Sequence, residues 1–313
     1  MRSISDIRRK AHYELDLLRY ASEKRRVDGH GIPKALPHQF GICVIVKNEG
    51  RYIAEWLRYH QVAGVDVVYL YDNGSTDDTA ERIRPFVESG FVEYTIFPGA
   101  GRQLDAYNDC LRRHRWGCKY IAFIDADEFL FKMDRDADLV SIVDSIMALD
   151  PEAGGVAVNW RMFGSSGLEH MPTRGGVLDS FLWRASEDMA SNRCIKSIVD
   201  PRRAFEFHHV HYPKYFEPYH SISETGERVD GWEYRNDHLE KLRVNHYFTK
   251  SKDEWVERRS LGMADFSNRK RGLDEFYAHD KNDIYDDSML PYVELMGKGF
   301  ESYGHGSEGD ELG

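Results

Sequence analysis

From residue 40 onward, continuous apolar runs alternate with amphipathic stretches. FGICVIV (40–46) has no polar interruption, as expected of a strand covered on both faces. Asn48 is placed to cap a helix whose inward positions are Ile53, Trp56, Leu57 and His60 and which Gly64 ends. VDVVYLY (65–71) predicts a second strand, and Thr76 or Asp77 caps a helix that stops before Gly90. FVEYTIF (91–97) is a third strand, 102–115 a third helix and KYIAFID (119–125) a fourth strand. This alternation predicts βαβ units and an α/β fold with a mostly parallel sheet flanked by helices. After residue 130 the rhythm breaks. A helix at 138–148 precedes a strand at VAVNW (156–160), and Gly-rich and aromatic-rich segments follow.

The two ends carry helical extensions. Ile4, Ile7, Ala11, Leu15 and Leu18 form one helical stripe over 4–26, expected to pack on the main domain. The flanking clusters Arg8-Arg9-Lys10 and Lys24-Arg25-Arg26 make peripheral membrane contact the alternative. Gly29–Pro37 reads as a linker. Ser251 and Glu254 form a capping box for a helix over 251–265, and the terminal GSEGDELG reads as a disordered acidic tail.

Composition narrows the function. The 313 residues are 41% hydrophobic, enough for one large α/β domain with appendages. A net charge of −11 argues against a general nucleic-acid binder, since phosphate backbones need basic surfaces. The apolar runs are too short to span a bilayer, and charges break the first twenty residues too often for a secretory signal. Cys43, Cys110, Cys118 and Cys194 form no CxxC pair and read as buried free thiols, which places the chain in the cytosol.

Ligands of open α/β sheets bind beyond the carboxyl ends of the strands, and three of the four strands end in polar residues there. The first runs into Lys47-Asn48-Glu49, the second into Asp72-Asn73-Gly74-Ser75, the fourth into Asp125-Ala126-Asp127-Glu128. In an extended segment Asp125 and Asp127 point to one side, where Mg²⁺ or Mn²⁺ would relieve their repulsion. Such an ion keeps waters and bridges substrate phosphates, which suits a nucleoside diphosphate. The plainer alternative is that the acids cap a helix or lie solvated. Asp72, at its strand tip, can accept hydrogen bonds from a base or ribose. Arg102, entering the third helix, serves an anion or merely starts the helix, and Asn108 on that helix is placed to orient the acid loop. His208-His209-x-His211 lacks the ligands to complete a zinc site.

KNEGRYIAEWLRYHQVAGVDVVYLYDNGSTDDT together with YIAFIDADEFL resembles the GT-A glycosyltransferases, closest to bacterial family-2-like and family-92 enzymes. NWRMFGSSG (159–167), IKSIVDP (195–201) and VNHYFTKSKDEWVERRSLGMAD (244–265) are similar to family-92 landmarks. The resemblance implies a Rossmann-like GT-A domain over 39–250, with a nucleotide half (39–130) and an acceptor half (131–250). Residues 1–38 and 251–313 are then extensions. It implies a nucleotide-sugar donor such as a UDP-sugar, with Asp72 on the nucleoside and the backbone of Val46–Glu49 along the base. Asp125 would face ribose or metal, Asp127 would hold the metal, and His246 would be a further metal ligand. Lys196 and Lys250 are expected to face the diphosphate.

The reaction so implied moves a sugar to a glycan or lipid-linked saccharide, with inversion. A carboxylate then takes the acceptor proton. Asp179, in VLDSFLW, is the first candidate, ahead of Glu187 and Asp188, which resemble the acidic pair of family-2 enzymes. The rival readings are a nucleotidyltransferase and a non-catalytic nucleotide-sugar or glycan-binding protein on the same scaffold. Trp160, Trp183, Trp232 and the aromatic residues of 205–220 could stack on sugar rings or serve as core. A cytosolic position at the inner face of a membrane would suit lipid-linked acceptors.

Overall fold

The apolar runs become strands where their lengths place them. The structure is a computed structural model that describes residues 4–31, 33, 35–173, 175–236, 239–261 and 272–297. Helix α1 (Ile4–His30) leads into β1 (His38–Val46), α2 (Ile53–Ala63), β2 (Val67–Asp72), α3 (Thr79–Glu88), β3 (Val92–Ile96), α4 (Gln103–His114) and β4 (Cys118–Phe123). The second half runs β5 (Glu128–Lys132), α5 (Leu139–Met147), β6 (Ala153–Met162), α6 (Val177–Ser180), β7 (Trp183–Arg184) and β8 (Ile195–Val199). It continues through β9 (Ala204–Phe207), β10 (Pro213–Tyr215), β11 (His220–Ile222), β12 (Arg228–Val229) and β13 (Leu242–His246). The chain closes with α7 (Lys252–Leu261), α8 (Leu273–His279), β14 (Ile284–Tyr285) and α9 (Leu290–Met296).

The central sheet has the order β12-β11-β6-β8-β4-β1-β2-β3, with β13 joining β6 to β5. Strands β1 to β4 are parallel; β8 enters antiparallel between β4 and β6. Helices α2 and α5 cover one face through Trp56, Leu57, Val143 and Ile146 against Ile42, Val44 and Leu70. Helix α4 covers the other, placing Ala106, Tyr107 and Leu111 on Cys43, Tyr69 and Phe123. The chain steps outward from β1 to β3 and then returns to β4 on the far side of β1. The crevice where ligands settle in such sheets therefore lies between the ends of β1 and β4. Val46 pairs with Asp72 and Asp72 with Ile96, so the three outer tips are level.

Two local expectations change. Asn48 does not cap α2: it lies at φ 55°, and the helix begins only at Ile53. Helix α1 meets the domain with a different face from its apolar stripe. Leu15 and Leu18 remain 64% and 68% exposed. Instead, Tyr20 packs edge-on to Phe205 at 5.0 Å and accepts from the Glu217 N–H at 2.8 Å. Glu23 sits 3.6 Å from Arg115, and His30 stacks on Trp116. Tyr20, Glu23 and His30 share one stripe at 3-4 spacing. Aromatic and ionic partners on the domain surface outweigh the aliphatic stripe.

The Ser251–Glu254 contact ahead of α7 is present, the Ser251 hydroxyl donating at 3.0 Å; residues 262–265 and the acidic tail lie outside the described residues. All four cysteines are buried and free. Among the described residues no helix is long and apolar enough to cross a membrane.

Candidate functional site

The tips of β1 and β2 are tied into one rigid ledge. Asn48 donates its N–H to the Ser75 hydroxyl and accepts from the Thr76 N–H at 2.7 Å. Asp77 accepts from Gly50 and Thr79, so the turn after β2 is clamped to the loop after β1. Asp72 is buried, accepting from the Ser75 N–H at 2.7 Å and from the Tyr94 hydroxyl at 2.6 Å. Burial, reinforced by this carboxylate, pushes the Tyr94 phenol up to about 12. Lys47 stands exposed beside this ledge, and the Glu49 N–H is held by the Thr79 hydroxyl.

Beyond β4 the chain does not stay extended. Residues 125–128 close a turn in which the Glu128 N–H donates to the Asp125 carbonyl at 3.1 Å. The two aspartates therefore look in different directions rather than to one side. Asp125 faces inward, where Gln103 and Tyr107 donate to one oxygen at 2.6 and 3.1 Å and Lys196 donates to the other at 2.8 Å. Lys196 is buried and also lies 3.5 Å from Glu128, which is wholly enclosed. Burial pushes Glu128 up to about 7, with Lys196 opposing the shift. For Lys196, burial favours loss of the proton, but Asp125 and Glu128 overcome it and hold its pKa above the ordinary value.

Asp127 turns toward His246 at the end of β13. Its Oδ1 lies 3.5 Å from His246 Nε2. Burial works to lower the imidazole pKa, but Asp127, Glu128 and Asp125 together raise it. The Tyr247 N–H donates to the Asp127 carbonyl at 2.9 Å, locking turn to strand. Trp160 on β6 packs its ring edge-on to His246 at 4.4 Å.

A carboxylate oxygen and an imidazole nitrogen facing each other form a mixed O/N donor pair, which suits a transition ion such as Mn²⁺ better than the oxygen-seeking Mg²⁺. Among the described residues no cluster of three or more His, Cys, Asp or Glu side chains surrounds a metal position. Asp127 and His246 are thus two facing side chains, and any further ligands of an ion placed between them would have to be water or substrate oxygens. Asp125 accepts from three donors while its side chain stays 35% exposed.

The remaining candidates sit elsewhere in the hydrogen-bond network. Asp179 accepts from the Gly176 N–H at 2.7 Å at the start of α6. Glu187 pairs with Arg161 and Arg184, each at 2.8 Å, beside an arginine-lined cavity of about 520 Å³. Asp188 lines the same cavity, exposed, and accepts from the Ser186 hydroxyl at 2.6 Å. Lys250 is buried with its ammonium 4.0 Å from the Tyr52 ring centroid. Arg102 lies over the Phe97 ring and pairs with Asp105 at 2.7 Å. Asn108 pins the Phe207 backbone from both sides instead of orienting the acid turn.

Residue-by-residue reading missed Gln103 and Tyr107 as the donors that orient Asp125. Their four-residue spacing, which puts both on one face of α4, was the available signal. The sequence marks Glu128 only as part of the polar strand tip and Trp160 only as a sugar-stacking candidate, and Tyr94 carries no local signal of its position.

A model of glycosyltransferase family 92 matches residues 38–271. A family 92 protein of Ricinus communis is 28% identical over 250 residues, covering 77% of this chain and 41% of that protein. A family 92 protein of Oryza sativa subsp. japonica is 22% identical over 266 residues, covering 83% and 44%. The chain thus spans under half the length of these two relatives. They are plant proteins, and the bacterial affinity expected from the motifs finds no support in them. Among solved structures, a mannosyltransferase of Pyrobaculum calidifontis in complex with GDP-Man and Mn²⁺ aligns over 61% of this chain and 53% of that one. Its identity is 21% and its TM-score 0.33.

Proposed function

The chain belongs to glycosyltransferase family 92, and from that premise we propose that it transfers a sugar from a nucleotide-sugar donor, a UDP-sugar first, to a glycan hydroxyl. The observation that carries the reading is the Asp127–His246 pair at the β1/β4 crevice, backed by the Asp125–Lys196–Glu128 network, in which Lys196 and Glu128 are buried. The ledge of Asn48, Asp72 and Tyr94 supports nucleoside binding on the adjoining strand tips. Lys47 and the Val46–Glu49 backbone line its edge.

Asp127 and His246 would hold a divalent metal, which when bound neutralises charge developing on the departing diphosphate. The chain's own groups do the remaining work. Gln103, Tyr107 and Lys196 fix the Asp125 carboxylate, so the turn bearing Asp127 is set before donor arrives. Tyr94 and the Ser75 N–H fix Asp72 in the same way. Inversion requires a carboxylate to take the acceptor proton from the face opposite the leaving group. Both Glu187 oxygens already accept from arginines, and Asp179 binds the α6 backbone. Asp188 is therefore the first of the three to test.

The test is nucleotide release from UDP-, GDP-, dTDP- and CMP-sugars with Mn²⁺, Mg²⁺ or EDTA. Release of one nucleotide, abolished by EDTA and lowered at least about a hundredfold by Asp127→Ala, is expected. Release that survives EDTA and Asp127→Ala would sink the metal role. Neither release nor binding of any donor would sink the transferase reading.

A further inference from the structure

A run of aromatic rings leaves the candidate site and leads into a second cavity. From His246, Trp160 follows at 4.4 Å, His211 lies 5.2 Å from Trp160, and His209 lies 5.1 Å from His211. Trp232, 43% exposed, lies with its ring nearly parallel to His209, and Tyr212 stacks on His209 at 5.2 Å. Tyr212 then lines a groove of about 460 Å³ between α1 and the β9–β12 segment, so ring track and groove are continuous.

Beyond His246, the two imidazoles of the run, His211 and His209, are held in place and favour the neutral form. Burial and the neighbouring Lys196 push His211 down to about 3, and its Nδ1 lies 2.7 Å from the Ile195 carbonyl oxygen. His209 is lowered for the same two reasons. Neutral, flat rings in sequence suit the apolar faces of pyranose rings. In the groove, Tyr20, Tyr212 and Tyr219 supply further aromatic surface. Its carboxylates, Asp16, Glu206, Glu217 and Asp230, outnumber the cations Lys214 and Arg228 two to one. Arg19 pairs with Glu206 and Arg228 with Asp230, so the acidic excess is slight, and the carboxylates keep lone pairs that can accept from sugar hydroxyls.

We infer that the acceptor is an extended neutral oligosaccharide, its terminal hydroxyl at the Asp127–His246 end and its body lying along Trp160, His211, His209 and Trp232 into the groove. This deepens the transferase reading and rests on it for the position of the reacting end. It also gives α1 a role, because Asp16, Leu17 and Tyr20 form one wall of the groove.

The test compares calorimetric binding of di- and hexasaccharides in three neutral series, β-1,4-linked galactose, glucose and xylose, and in an acidic oligogalacturonide series. The full chain is used, wild type and with Trp232→Ala, Trp232→Phe or Tyr212→Ala. In one neutral series the hexasaccharide is expected to bind about tenfold more tightly than the disaccharide. That ratio should collapse toward one in Trp232→Ala and Tyr212→Ala and persist in Trp232→Phe. Because the ratio is taken within each protein, partial misfolding cancels. No gain with length in any neutral series, a gain that survives both alanine variants, or a gain confined to the acidic series would each overturn the inference. Binding is read without donor, so absence of nucleotide release would count against the transferase reading alone.

Discussion

Lys196→Met should unsettle the molecule at its most charged interior point. In the wild type the ammonium lies 2.8 Å from Asp125 and 3.5 Å from Glu128, with its side chain 1% exposed. Methionine keeps the length and removes the charge. Asp125 retains Gln103 and Tyr107 as donors, whereas Glu128, fully enclosed, loses its nearest cation. Removing one partner of a buried ion pair typically costs about 3–5 kcal/mol. Part of that is recovered when Glu128 takes up a proton. Its folded pKa already stands near 7 against an ordinary 4.5, and losing Lys196 raises it further. A carboxyl whose folded pKa exceeds its unfolded value loses stability as pH rises through that interval. The deficit of the variant should therefore be smallest in mild acid and grow through neutrality.

Urea unfolding at pH about 6 and about 8, with m-values checked for constancy, measures this directly. Lys196→Met/Glu128→Gln should recover about 1–3 kcal/mol of the loss, the coupling expected of residues in contact. A loss below about 1 kcal/mol with no pH dependence, or a double variant no more stable than the single, would refute the claim that Lys196 compensates Glu128.

Tyr94→Phe removes one of the two donors on Asp72, a bond to a charged group worth about 1.5–3 kcal/mol. If Asp72 orients the nucleoside, donor KM should rise about tenfold with kcat unchanged; a fall in kcat alone contradicts that role. Glu55 accepts from the Val177 and Leu178 N–H groups at 2.7 and 3.0 Å, yet burial pushes its carboxyl up to about 7 from 4.5. Folded protein then holds a proton that the unfolded chain releases, so Glu55 alone should lower stability by about 3 kcal/mol as pH rises from 4.5 to 7. Glu128 titrates over the same range, so Glu55→Gln should remove the Glu55 share of that slope and leave the rest, and an unchanged profile in chemical denaturation across this range would refute the assignment.

Strands β1, β2 and β4 were legible because each is buried on both faces, and such burial leaves a nearly continuous apolar run, whereas β3, the half-exposed edge strand, showed instead the alternation of FVEYTIF. The polar tips of β1, β2 and β4 were legible for the same reason: the first charged residue after such a run must lie where the sheet ends. The direction of those tips was not. Two aspartates separated by one residue share a side only if the chain is extended, and the Glu128-to-Asp125 hydrogen bond bends it.

What bends and fills the site comes from distant segments. Lys196 arrives on β8, which runs antiparallel to β4 and sets its side chain beside the acid turn. His246 arrives on β13, whose pairing with β5 brings it opposite Glu128. Neither strand announces its partner, because their apolar residues fit several registers. The α1 stripe failed for a related reason: Leu15 and Leu18 show a helix can bury a face, but the domain surface chose Tyr20 and Glu23 by offering rings and a guanidinium. Sequence patterns thus report what a segment can bury, while the chemistry of this site depends on which charges the folded sheet encloses together. Asp125 shows the consequence. With Lys196, Gln103 and Tyr107 as donors, its carboxylate ties the acid turn to α4 and β8, and the turn so held sets Asp127 opposite His246.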